Sequence, residues 1–195
     1  MDKTLHLFDQ QRLNKLKDRS ILINTSRGSV IDNNELNKVI SDKKLNVVLD
    51  VWEKEPKINI ELLNKVKIAT PHIAGYSLEG KVNGTMILYK ALCDFLKVSP
   101  TWKPQLPIIE DRITASDSNL ETTLQSIFTS IYNINKDDLN LRKIAEFEVK
   151  EGEAYFDSLR RNYLLRREFS NYTLKLSNQN KKLEKLLKTF RFKIE

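Results

Sequence analysis

Cysteine is almost missing from this chain, and the single Cys93 excludes an internal disulfide and any metal cluster built on cysteine. Histidine occurs twice, at positions 6 and 72. The five glycines, at 28, 75, 80, 84 and 152, form no G-x-G-x-x-G turn, the device that seats a pyrophosphate on a helix N-terminus. No apolar run approaches the roughly 20 residues needed to span a bilayer. The opening MDKTLHLFDQ lacks the basic start and apolar stretch of a secretory signal. These absences set the expectation of a cytoplasmic protein with no membrane partner. Internal repeats and low-complexity tracts are also lacking.

What remains is a 195-residue chain, 40% hydrophobic and 30% charged, a composition that suits a soluble globular protein of one large or two small domains. The net charge of +7 is uneven: from Ser158 onward 11 Lys/Arg face 3 Asp/Glu. A basic end of this kind can attract a polyanion. No recognition motif accompanies it, so a solvated, lysine-rich helical surface is expected and no nucleic-acid partner.

Residues 9–17 (DQQRLNKLK) have the spacing of a short amphipathic helix, with Leu13 and Leu16 on one side. The apolar run at 20–24 (SILIN) predicts a strand buried on both faces. Asp32 and Glu35 then have the spacing of a capping box, ahead of a helix whose apolar face is Leu36, Val39 and Ile40. Residues 45–51 (LNVVLDV) read as a second strand and 66–69 as a third, separated by the short segment IELLNK. Strands and helices alternating in this way indicate βαβ units on a parallel sheet. A long helix is predicted over 78–97, with Leu78, Val82, Thr85, Met86, Tyr89 and Leu92 at helical spacing. Three of the five prolines fall in 99–107, which reads as a linker between a region at 1–98 and a smaller α+β region at 108–195. In the latter, helices are expected at 119–134, 156–169 and 179–189, and strands at 172–176 and 190–194.

Ligands of open parallel sheets gather where the strands end at their carboxyl edge. That rule puts three loops on one rim: 25–28, 50–56 and 70–75. They carry Arg27, Glu55 and His72. His6, in a polar–apolar alternation, reads as structural or merely exposed. His72 alone would be an ordinary loop residue, but an Arg, a Glu and a His at successive strand ends form a constellation. Oxidation of a 2-hydroxy acid needs these types. A guanidinium grips a carboxylate through two parallel hydrogen bonds. An imidazole takes the hydroxyl proton as hydride leaves. A carboxylate holds that imidazole in one orientation and favours its charged form. No nucleophile is required, because a cofactor carries the hydride.

The stretches INTSRGSVIDNNEL, VVLDVWEKEP and ATPHIAGYSLEGKVNGT resemble the D-2-hydroxyacid dehydrogenase family. HIAGYSLEGK, together with LRKIA and FDSLRRNYLLRREFS, further resembles one branch that acts on a small phosphorylated 2-hydroxy acid. The likeness covers nearly the whole chain and fades over the last 20 residues. It implies NAD as cofactor, and an α/β fold made of the C-terminal part of a doubly wound parallel sheet followed by a small α+β dimerisation domain. Arg27 and Glu55 would be active-site residues and His72 the proton donor or acceptor. Asp50 would meet the nicotinamide end of NAD, Gly75 would let the backbone approach the cofactor, and Tyr76 would reach the substrate's phosphate side. On the residues alone, Asp50 is equally a strand-end cap, Tyr76 a packing residue and Gly75 a turn. The resemblance places Met1 inside the cofactor domain, leaving an unpaired sheet edge. Three readings stay open: one part of a working dehydrogenase homodimer, made as a fragment or begun at an internal start, with a separate N-terminal half left open as a partner; a non-catalytic relic retaining dimerisation; and a sibling dehydrogenase acting on another 2-hydroxy acid.

Overall fold

Asn24, Leu49 and Ala69 end three parallel strands side by side, so the loops that follow them emerge on one edge of a sheet. The computed structural model describes residues 3–109, 112–115, 119–164, 166–177 and 180–195. In chain order the first elements are α1 (Gln10–Lys15), β1 (Ile21–Asn24), α2 (Asn33–Asp42), β2 (Asn46–Leu49), α3 (Ile60–Lys65), β3 (Ile68–Ala69) and α4 (Leu78–Leu96). They are followed by β4 (Arg112–Ala115), α5 (Leu120–Ile131), α6 (Ile134–Arg142), α7 (Val149–Arg161), β5 (Thr173–Leu176), α8 (Lys181–Thr189) and β6 (Lys193–Ile194). The architecture is α/β with parallel sheets.

Two compact units interleave along the chain: residues 1–74 with 134–163, and residues 75–133 with 164–195. The proline-bearing stretch 99–107 lies within the second unit, and the segment 134–163 packs with the first sheet. Leu141, Ile144 and Phe156 join Leu36, Leu49, Leu62 and Leu63 in one buried cluster. Each such side chain contributes roughly 1.5–3 kcal/mol by leaving water, and this holds a distant piece of chain onto the sheet.

In the first unit the sheet order is β1-β2-β3, with Ile21 opposite Asn46 and Leu49 opposite Ala69. Among the described residues β1 lies at the edge of this sheet, and the expectation that both its faces are buried is corrected. Leu22 and Asn24 are buried, whereas Ile21 is 73% and Ile23 61% exposed. A run of apolar residues reports high strand propensity on both faces, but burial needs a layer on each, and here only one face of β1 is covered. α1 starts at its N-cap Asp9, and Leu13 is fully buried. α2 starts at Asp32, whose side chain accepts from the Asn34 and Glu35 backbone N–H groups. The capping box is only half formed, because the Asp32 N–H goes to the Phe8 carbonyl and Glu35 pairs with Lys38 instead.

The second unit has its own parallel sheet, β4-β5-β6, over a core of Ala115, Ile127, Leu174, Leu183, Leu187 and Phe192. β4 and α6 were not foreseen. The helix expected at 156–169 instead occupies Val149–Arg161 and stops at Asn162. The start expected for α8, at position 179, lies outside the described residues; the helix runs from Lys181 with Asn180 as its cap. α4 buries Cys93 and half-buries Val82, Met86 and Tyr89, leaving Leu92 exposed, so its inward stripe is rotated slightly from the one expected.

Candidate active site

The loop after β1 is built by Asn24. Its buried side chain donates from Nδ2 to the Arg27 carbonyl (2.9 Å) and accepts from the Ser26 N–H and hydroxyl. This internal clasp turns the chain sharply and sets Arg27 at the strand end, with its guanidinium exposed and donating to the Ser26 carbonyl at 2.6 Å. Gly28 follows, pressed against the neighbouring loop: a Cβ there would lie 2.0 Å from the Trp52 carbonyl carbon and oxygen.

The loop after β2 carries Asp50 and Glu55. Asp50 is 4% exposed, and its carboxylate accepts from the Thr70 hydroxyl (2.6 Å) and the backbone N–H groups of Ile73 (2.8 Å) and Ala74 (3.0 Å). Its own carbonyl accepts from the His72 N–H at 2.7 Å. Asp50 therefore shapes the loop that presents His72, which bends through φ +56°. Trp52, also buried, closes the same corner by donating from Nε1 to the Thr70 carbonyl.

Glu55 and His72 meet directly. Glu55 Oε2 lies 2.7 Å from His72 Nδ1, and Glu55 Oε1 accepts from the Trp52 N–H at 2.7 Å. A carboxylate can only accept, so Nδ1 carries the proton and Nε2 is the nitrogen left to exchange protons with a ligand. Both side chains are partly exposed, at 28% and 19%. This pair suits general acid–base work: one group moves the proton and the other holds it in tautomer and orientation. Arg27 stands at the adjacent strand end and makes no hydrogen bond or ion pair to either residue among the described residues.

Gly75 and Tyr76 fall in the second unit. Gly75 has φ +74°, a conformation that glycine adopts without strain, and its carbonyl accepts from the Ser77 N–H. Tyr76 lies under the Lys81 ammonium, 4.2 Å from its ring centre. The following SLEGK residues anchor the start of α4. Ser77 caps the helix and donates to Glu168, and Glu79 holds Arg167 (2.5 Å), the Glu168 N–H and Asn171. Burial pushes the Glu79 carboxyl up, but the Arg167 hydrogen bond foremost, then the backbone N–H groups of Glu168 and Glu79 and the Arg167 charge, outweigh it and leave the group below its ordinary value.

Residue types alone did not single out Asn24, Gly28, Asn33 and Glu53. Asn33 and Glu53 exchange two hydrogen bonds, Asn33 N–H to Glu53 Oε2 (3.2 Å) and Glu53 N–H to Asn33 Oδ1 (3.1 Å), which dock the Glu55 loop on α2. Only the glycine in SRG hinted at a close approach. No helix among the described residues is long and apolar enough to cross a membrane.

Residues 1–74 match the family model described as D-isomer specific 2-hydroxyacid dehydrogenase, NAD binding domain, and residues 105–189 match a domain of unknown function (DUF3410). The chain is 46% identical over 173 residues to the erythronate-4-phosphate dehydrogenases of Shigella dysenteriae serotype 1 and of Escherichia coli O1:K1, covering 87% of this chain and 44% of each relative. With the enzyme of the same name from Photorhabdus laumondii it shares 42% identity over 186 residues, 91% of this chain and 47% of the relative. The chain thus spans less than half the length of these relatives. Over its first 74 residues the chain is similar to the NAD-binding domain of the D-isomer specific 2-hydroxyacid dehydrogenases, and over most of its length to part of the erythronate-4-phosphate dehydrogenases.

Proposed function

We propose that this chain supplies the acid–base part of an erythronate-4-phosphate dehydrogenase, which oxidises 4-phospho-D-erythronate at C2 to the 2-oxo acid in the biosynthesis of pyridoxal phosphate. The observation that carries this reading is the Glu55–His72 pair at the carboxyl edge of a parallel sheet, one strand end away from Arg27. Arg27 swings from the Ser26 carbonyl to pair with the substrate carboxylate. His72 Nε2 accepts the proton of the C2 hydroxyl, and Glu55 stabilises the resulting imidazolium through Nδ1. Bound NAD would supply the hydride acceptor; the C2 hydride (two electrons and a proton) would leave to it while the hydroxyl proton leaves to His72, so the alcohol gives up two electrons and two protons in all.

The residues present fit the reacting end of such a cofactor but not its pyrophosphate, since none of the five glycines forms the required turn. Asp50, with its carboxylate engaged by Thr70, Ile73 and Ala74, acts on the nicotinamide end by shaping the loop beside it. Gly75 supplies backbone approach and Tyr76 the phosphate side of the substrate. Residues 108–195 form the dimerisation domain of a cytoplasmic homodimer. A second reading is a relic that folds and dimerises without turnover.

The purified 195-residue chain is expected to bind NAD weakly and to form no NADH from 4-phosphoerythronate. A chimera carrying the preceding half of a relative is expected to form it. In that chimera His72→Asn lowers kcat about 10²–10⁴-fold, the range of a lost general base. No turnover by the chimera points to the relic. Preference for an unphosphorylated acid points instead to a sibling dehydrogenase. Robust NADH formation by the chain alone overturns the requirement for a second half.

A further inference from the structure

His6 has both ring nitrogens turned toward carboxylates. Nε2 lies 2.7 Å from Glu53 Oε1, and Nδ1 lies 3.3 Å from Asp32 Oδ2. Its backbone is held as well, by a hydrogen bond from its N–H to the Ser29 carbonyl (2.8 Å), at φ +47°. Neutral imidazole offers one donor and one acceptor, so only the protonated ring satisfies two carboxylates. The two partners belong to different elements. Asp32 is the N-cap of α2, and Glu53 sits in the loop between β2 and α3, two residues before Glu55.

Glu53 is thereby gripped on three sides: by His6 at Oε1, by the Asn33 N–H at Oε2, and by Asn33 Oδ1 at its own N–H. The Trp52 backbone just before it is pressed by Gly28 and donates its N–H to Glu55 Oε1. A displacement at Glu53 therefore moves the backbone donor that orients the Glu55 carboxylate, and with it the partner of His72.

We propose that His6, bridging Asp32 and Glu53 as an imidazolium, is a positioning residue that fixes the loop bearing Glu55 and through it the tautomer of His72. The proposal rests on reading Glu55 and His72 as the proton-moving pair. The charge environment supports the bridge. The hydrogen bond to Glu53 raises the His6 pKa above 6.5, partial burial opposes this, and the charges of Glu53 and Asp32 add to it. Elsewhere on these elements, Glu35 on α2 is paired with Lys38, and Lys54 follows Glu53 in the loop. One ligand atom from each of His6, Asp32 and Glu53 lies within 4.8 Å of the others, a spacing that also suits a metal ion. Against an ion, the two ring nitrogens diverge to different carboxylates, and Asp32 Oδ1 is already engaged in capping.

The chain has two histidines, so long-range ¹H–¹⁵N spectra of the 195-residue protein contain two imidazole patterns, which His72→Asn assigns. His6 is expected to keep both nitrogens protonated to a pH above 6.5, and neutral His72 to carry its proton on Nδ1. In His6→Ala the Nδ1–H population of His72 is expected to fall at least about two-fold toward the Nε2–H form, since the hydrogen bond at one nitrogen sets the tautomer. Glu53→Gln is expected to do the same and covers the case in which His6→Ala does not fold; unchanged emission of buried Trp52 in a Trp102→Phe background reports an intact core. Glu55→Gln separates the two readings. If it shifts the His72 tautomer while His6→Ala and Glu53→Gln do not, the positioning role is wrong. If it leaves His72 unchanged, the Glu55–His72 pairing itself fails. Stoichiometric Zn²⁺ that displaces one ring proton of His6 and binds through that nitrogen overturns the bridge in favour of a metal site.

Discussion

A methyl group at position 28 has nowhere to go, because the Trp52 carbonyl fills the space at 2.0 Å and backbone cannot rotate aside as a side chain can. Gly28→Ala is expected to cost about 1–3 kcal/mol, the range for overpacking a well-filled interior. Urea unfolding of the single variant measures it; a change under about 0.5 kcal/mol, ordinary for an exposed site, contradicts the packing described. Asp50 makes a comparable case. Replacing it with Asn leaves an NH₂ facing hydrogen-bond donors that now meet a carboxylate oxygen. A loss of about 1–3 kcal/mol is expected, and because those donors sit in the loop that presents His72, the ring resonances of His72 should shift with it. A destabilised variant with unmoved His72 resonances would confine Asp50 to capping the strand.

At the scale of elements, α6 matters more to the first sheet than its distance in sequence suggests. Asp138 Oδ1 accepts from the Ala69 N–H at 2.7 Å. Arg142 reaches the Leu63 and Val66 carbonyls at 2.8 and 2.9 Å while paired with Asp138. This helix therefore caps the end of α3 and the edge of β3, the two-residue strand that leads into the His72 loop. Arg142→Met keeps the aliphatic stem but leaves both carbonyls and Asp138 without their cation. An unfolding loss of about 1–3 kcal/mol is expected, with hydrogen exchange at Ala69 rising by the corresponding factor. Exchange there unchanged from wild type would mean that β3 does not depend on α6. None of this was legible locally. The pattern of α6, INKDDLNLR, is polar nearly throughout and shows no strong apolar stripe. By contrast α2 and α8 carry clear apolar faces beside capping residues, Asp32 and Asn180, and their central turns were read without difficulty.

For the molecule as a whole, the two units place their ionic supports at opposite ends of the pH scale. His6 in the first unit has a raised pKa, so its stabilisation is complete below the ordinary 6.5 and is lost as pH rises through the raised value. Glu79 in the second has a lowered pKa, so its stabilisation is complete above the ordinary 4.5 and is lost as pH falls through the lowered value. Each unit has one tryptophan, Trp52 in the first core and Trp102 against Tyr89 in the second. In Trp102→Phe the remaining emission should lose denaturant resistance on the alkaline side, and in Trp52→Phe on the acid side. Identical pH profiles for the two reporters would show that the units unfold as one.

By itself the sequence determined the order of strands and helices over the first 98 residues, the Asp32 cap of α2, and the placing of Arg27, Glu55 and His72 on successive strand-end loops. Propensity, periodicity and the strand-end rule act over a few residues, and those signals are written in neighbouring positions. Only the tertiary structure decided that one face of β1 stays open, that residues 134–163 join the first sheet, and that His6 bridges two acidic groups. It also decided that Asp50 spends its carboxylate on the His72 loop and that Glu79 binds Arg167. Each of these depends on which distant group arrives within hydrogen-bonding or packing distance, and residue spacing along a chain does not encode that arrival.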